Sequence, residues 1–151
     1  MIESEASYEI EFLEFSQSCW LKSSGVTLNL VVTLQQHSDP SSLNSLQLSR
    51  WMPFVNDVMI HEQKQVDIHL ERIEVFRGRV ENLPESFNNC AALEVHVLSL
   101  WEGERLLDEQ QQAAFHTSDD LRSRGLRAPF QLWIDNNEAK LTGYQRELEL
   151  I

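Results

Sequence analysis

The sequence predicts a mainly β protein: a single antiparallel β-sandwich of about seven short strands with one or two short helices, its one domain covering residues 1–151. Three observations carry this expectation. Apolar and polar residues alternate over several short runs, the period of a strand with one buried face. Turn-forming clusters separate those runs. A chain of 151 residues with 42% hydrophobic and 24% charged residues has the size and composition of one globular domain and can bury a core without metals or disulfides.

Tyr8, Ile10 and Phe12 alternate with Glu9 and Glu11, which predicts a half-buried strand. The pattern slips at Leu13 and Phe15, where a bulge or twist is expected. After Ser23-Ser24-Gly25 comes the clearest strand, with Leu28, Leu30, Val32 and Leu34 on one face. The loop His37–Ser42 offers Asp39 as an N-cap with Pro40 at the first helical position, opening a short helix through Leu43, Leu46 and Arg50 that ends before Pro53. From Val66 to Phe76 two readings compete. One is a bulged strand using Val66, Ile68, Leu70, Ile73 and Val75, the other an amphipathic helix using Val66, Leu70 and Ile73. β-Branched enrichment favours the strand. Asn82-Leu83-Pro84-Glu85 is a turn, followed by a strand at Leu93, Val95 and Val97. A turn at Glu102-Gly103-Glu104, a short strand at Ala113–His116 and a polar loop at Ser118–Arg127 come next. Phe130, Leu132 and Ile134 predict another strand, Asp135-Asn136-Asn137 a turn, and Tyr144–Ile151 a last extended segment.

The charge balance, 24 acidic against 12 basic residues for a net −12, repels phosphate backbones and anionic lipid, so neither nucleic acid nor a membrane surface is an expected partner. A solvated acidic surface or complementarity to a basic protein accounts for it. No apolar run is long enough to span a bilayer. Residues 1–5 lack the basic and apolar regions of a signal peptide, which reads as a cytoplasmic protein or as a mature chain whose leader has been removed. Cys19 and Cys90 form no C-x-x-C pair. Two buried free thiols are expected, with a disulfide as the alternative in an oxidising compartment.

His61-Glu62-Gln63-Lys64-Gln65 approaches the HExxH zinc motif but carries Gln65 where the second histidine ligand belongs, so the motif fails. His69 and His96, placed on polar strand faces among Asp67, Glu71 and Glu94, read as surface histidines paired with carboxylates rather than as metal ligands. No nucleophile elbow, phosphate loop or dinucleotide fingerprint occurs. The expectation is therefore a protein that is not an enzyme, with no catalytic residues, metal or cofactor. On the strand phase, Leu98, Leu100 and Trp133 lie outside the main core, with Trp101 beside a turn as a fourth. They are either covered by the N-terminal half or form a partner-binding surface.

The run from Gly78 to Tyr144 contains Gly78-Arg79-Val80-Glu81-Asn82-Leu83-Pro84, Ala92-Leu93-Glu94-Val95-His96-Val97 and Gly125. It continues with Pro129-Phe130-Gln131-Leu132-Trp133-Ile134-Asp135, Leu141 and Tyr144. That order resembles the type III secretion outer-membrane pilotins and lipoprotein chaperones. The resemblance implies a β-sandwich without chemistry that binds a segment of the secretin and works at the periplasmic face of the outer membrane, anchored through a cysteine near the mature N-terminus. Here Cys19 follows an acidic alternating strand rather than a leader, and residues 1–70 have no counterpart in the family. The resemblance predicts a pilotin-like chaperone. The alternative from another class is a cytoplasmic acidic immunity protein or antitoxin that neutralises a basic toxin, whose association slows as salt rises.

Overall fold

The computed structural model describes the backbone of residues 2–37, 40–84, 86–137 and 141–150, and the side chains of residues 2–32, 41–84 and 86–120. In chain order the elements are β1 (Ile2–Phe15), β2 (Ser18–His37), a single 3-10 turn at Pro40–Ser42, α1 (Ser45–Glu81), α2 (Cys90–Asn137) and β3 (Leu141–Leu150). The described strands form one three-stranded sheet in the order β1-β2-β3. α1 has 37 residues and α2 has 48, together more than half of the chain. The predicted β-sandwich is therefore overturned: the protein is predominantly helical.

β1 and β2 are one hairpin. Its two-residue turn, Ser16-Gln17, takes positive φ at both positions (49° and 66°), the geometry whose twist matches that of the flanking strands. Along β2, Val26, Leu28, Leu30 and Val32 are buried, which is the face the alternation predicts. The strand starts at Ser18 rather than after Gly25. Asp39 lies outside the described residues, and the first long helix begins later than its cap would require. Asn44 caps α1 instead: its Oδ1 accepts from Gln47 N at 2.8 Å while Gln47 Oε1 accepts from Asn44 N at 3.0 Å, a reciprocal box satisfying two amides that a helix start leaves unpaired. α1 does not end before Pro53 but runs through it, forgoing one backbone hydrogen bond there.

The strands expected at 66–76, 93–97, 113–116 and 130–134 are all helix, as are the turns expected at 102–104 and 135–137 and the loop at 118–127. The helical alternative for 66–76 is the one that forms. In α2 the apparent alternation Leu93-Val95-Val97 has a simple cause. Leu93 and Val97 sit one turn apart on the buried face, while Val95 points outward and is 68% exposed. The segment 101–114 is rich in Glu, Gln, Leu and Ala, strong helix formers that outweigh a three-residue alternation. Asn89 caps α2, its Oδ1 accepting from Ala92 N at 2.7 Å.

Two compact units divide the chain. The first comprises Met1–Glu3, Leu30–Val66 and Ala113–Leu148, the second Ser4–Asn29, Asp67–Gln112 and Glu149–Ile151. In the first unit Trp51 and Phe54 are buried with ring centroids 5.3 Å apart, and Leu43, Val55 and Val58 pack on them. In the second, the β1–β2 hairpin packs against the antiparallel helices. Val26 from β2, Phe76 and Val80 from α1 and Val97 from α2 form the buried centre, with Tyr8, Ile10, Leu100 and Trp101 around it. Each such buried side chain contributes on the order of 1.5–3 kcal/mol. Tyr8, Phe76 and Trp101 meet pairwise at 4.9–5.5 Å between centroids, the spacing of tilted and edge-on aromatic pairs.

The second unit is also stapled covalently. Cys19 and Cys90 form a disulfide with Cα atoms 5.0 Å apart, so the expected free thiols are overturned in favour of the alternative. Beside it, Cys19 and Phe87 exchange two backbone hydrogen bonds of 2.8 Å, tying the start of β2 to the segment that leads into α2.

Candidate functional site

Of the four residues singled out from sequence, the three whose side chains are described do not share one surface. Leu100 and Trp101 pack against the core of the second unit. Leu98 points away from it and is 48% exposed. Trp133 lies on α2, and its side chain is outside the described residues.

Leu98 belongs to a longer stripe that the strand phase concealed. At spacings of three and four residues, Val95, Leu98, Glu102, Leu106 and Glu109 fall on one face of α2, and all are exposed. Leu93, Val97 and Glu104 on the opposite face are buried. Arg105 flanks the stripe and is engaged by Glu102 at 2.9 Å and by Glu109, so its charge is already matched. The surrounding field is strongly negative. The second unit holds 15 acidic against 5 basic residues, a net −10 out of the chain's −12. The Tyr8 hydroxyl registers that field: burial raises its pKa above the usual 10.0, and the charges of Glu94 and Glu102 push it further in the same direction.

Beneath the stripe the second unit carries an ion-pair network. Glu104, 3% exposed, takes Arg72 at 3.2 Å and Arg79 at 3.4 Å. Arg72 also meets Glu71 at 2.9 Å, and His69 Nδ1 meets Asp108 at 2.8 Å. Buried pairs of this kind add little net stability but penalise any helix register that leaves a partner unmatched. His69 is thus paired with a carboxylate, but with Asp108 of the other helix and largely buried, not on a strand surface beside Asp67 and Glu71. His96 is exposed and lies against the Phe87 ring.

The first unit contains a different kind of site. On α1, His61 and Gln65 stand one turn apart, and on α2, His116 and Asp119 do likewise. His61 Nδ1 lies 2.5 Å from Asp119 Oδ2, with both side chains buried, and the Gln65 amide donates to His116 Nε2. These bonds fix the tautomers. A neutral His61 donates from Nδ1 and keeps its lone pair on Nε2, and a neutral His116 carries its proton on Nδ1. The His61 ring lies 4.8 Å from Phe115 and 5.2 Å from His116. Val58, His61, Glu62, His116 and Asp120 line a pocket of about 220 Å³. The HExxH-like segment is therefore helical and faces a pocket, and Gln65 engages a histidine from the other helix. Among the described residues no group of three His, Cys, Asp or Glu side chains is placed to hold a metal ion. Sequence reading rejected the motif and passed over His116, Asp119 and Asp120. The signal that would have found them is the helical spacing of His116 and Asp119.

Residues 3–122 match a family described as a bacterial protein of unknown function, DUF922. No curated protein and no solved structure matches the chain.

Proposed function

The chain belongs to the DUF922 family, and we propose that it is a non-enzymatic protein-binding module that captures a basic, amphipathic polypeptide segment on the outer face of α2. The observation that carries this reading is the coincidence of exposed apolar side chains with most of the negative charge. Val95, Leu98 and Leu106 are interleaved with Glu102 and Glu109 on a unit of net −10. A basic helix laid on that stripe buries apolar groups against Leu98 and its neighbours while its charges meet the glutamates. The first unit also exposes Leu46, Met52 and Met59 on α1. It carries only −2 of the net charge, so that surface selects no partner by charge.

Of the two roles expected from sequence, the acidic inhibitor of a basic protein is preferred. It needs only charge, size and an accessible surface, whereas the secretin chaperone came with a β-sandwich that this chain does not form. The Cys19–Cys90 bond supports an oxidising compartment such as a periplasm, where disulfides persist, in place of the cytoplasm expected with that role.

The test is fluorescence anisotropy with a labelled 18-residue Leu/Lys amphipathic helix and a scrambled peptide of identical composition. The expected result is saturable binding of the amphipathic peptide that weakens steeply with salt, and a loss of about tenfold in Leu98→Glu. Equal binding of the scrambled peptide, or an unaffected Leu98→Glu variant, would overturn the proposal.

A further inference from the structure

Between Ser45 and Gln63 the outer side of α1 carries exposed apolar side chains on successive turns. We propose that this face pairs with the same face of a second copy of the chain, in an antiparallel dimer with two-fold symmetry. Leu48, Met52, Val55 and Met59 stand four, three and four residues apart, the spacing of a helix–helix seam. Leu48, Met52 and Met59 are 41%, 61% and 50% exposed, and Val55 is half-buried against the Trp51–Phe54 cluster. Arg50 is the one exposed charged residue in this stretch. It stands two residues before Met52 and so about 160° round the helix from it. Single exposed apolar residues are ordinary on a protein surface, but a run over three turns without a charge marks an interaction face.

Charge and spacing both select a second copy as the occupant. In a chain of net −12, two copies meet with least repulsion through the unit that carries −2, on a face that presents no carboxylate. On the α2 stripe the same encounter would set Glu102 and Glu109 against their own counterparts. The seam is also its own complement. Its two outer and two inner members share one midpoint, so a two-fold axis there sets Leu48 against Met59 of the second copy and Met52 against Val55 of the second copy. Antiparallel helices oppose their macrodipoles as well, and the thioethers of Met52 and Met59 adapt to the side chains they face. Four side chains over about 17 Å of helix make a small contact, which sets a dissociation constant on the order of 10–100 µM rather than nanomolar. This face is independent of the α2 stripe, and either proposal stands if the other fails.

The experiment is sedimentation equilibrium of the full chain over about 5–500 µM, bracketing the expected dissociation constant. The expected result is a reversible rise from the mass of one chain to that of two. Salt strengthens the dimer by screening the repulsion between acidic copies, the opposite of its effect on peptide capture by the α2 stripe. Met52→Glu, at an exposed position that leaves folding intact, weakens the dimer by about a hundredfold, roughly tenfold at each of the two symmetry-related sites. Leu98→Glu leaves it unchanged. Leu48→Glu and Met59→Lys are each monomeric alone, and an equimolar mixture of the two restores a dimer. Only antiparallel pairing sets the introduced carboxylate opposite the introduced ammonium. A single-chain mass at every concentration, an unchanged dimer in a folded Met52→Glu variant, a dimer dissolved by Leu98→Glu, or a mixture that stays monomeric would overturn the proposal.

Discussion

Breaking the Cys19–Cys90 bond tests the architecture of the second unit. The two cysteines are 71 residues apart in sequence. Closing a loop of that length removes chain entropy from the unfolded state worth about 4 kcal/mol at 25 °C. For a protein of this size each kcal/mol shifts the melting temperature by about 2–4 °C, so complete reduction lowers it by roughly 8–16 °C. The assay is thermal unfolding by circular dichroism at 222 nm, with and without a phosphine reductant, alongside thiol titration of the denatured, unreduced protein. The double variant Cys19→Ala/Cys90→Ala melts near the reduced protein and ignores the reductant. It falls somewhat lower, because Cys19 is fully buried and its truncation leaves a small cavity. Two titratable thiols in the unreduced protein, or full reduction with a melting temperature unchanged within about 2 °C, would refute the reasoning.

Three further outcomes follow from local geometry. Gly78 and Gly103 lie inside helices with open space where a Cβ would sit, so Gly78→Ala and Gly103→Ala each stabilise by about 0.8–1 kcal/mol in urea titrations, and a destabilised variant would contradict the helical placement. The Ser16-Gln17 turn holds two non-glycine residues at positive φ. Ser16→Asn/Gln17→Gly therefore raises stability by about 1–2 kcal/mol, and an unchanged unfolding midpoint would count against the hairpin. In a Tyr144→Phe background, absorbance at 295 nm reports Tyr8 alone, and its ionisation midpoint lies above 10.0. The unfolded state ionises first, so the contribution of Tyr8 to stability is full below pH 10 and is lost as pH rises through the raised value. Glu102→Gln moves the midpoint down, and a midpoint at 10 in both proteins would disprove the field described.

The hairpin strands were legible because one face of each meets the core and the other meets water. Tyr8, Ile10 and Phe12, then Val26 to Val32, show that contrast directly. The extended segment near the C-terminus was legible too, and β3 covers most of it. The helices were hidden for a physical reason. About half of their buried positions are polar, and the half-buried ones add more: His61, Gln65, His69 and Arg72 on α1 and Glu104, Asp108 and Gln111 on α2. Outward positions meanwhile carry Val95, Leu98 and Leu106. Hydrophobic periodicity detects helices by apolar inner faces, so this arrangement erases the 3.6-residue period and leaves accidental alternations such as Leu93-Val95-Val97. Leu98 is exposed, but a strand pairs it with Leu100 and a helix with Val95 and Leu106. His61 was noticed for a motif it does not complete. Its partners lie on a helix that the alternation breaks into three strands, two turns and a loop.

Hydrogen–deuterium exchange of the full chain, with and without the amphipathic basic peptide, tests the central claim most directly. The account predicts slowed exchange concentrated in fragments covering residues 94–109, with fragments covering 45–66 unchanged. Protection confined to 45–66, or no difference anywhere at saturating peptide, would contradict it.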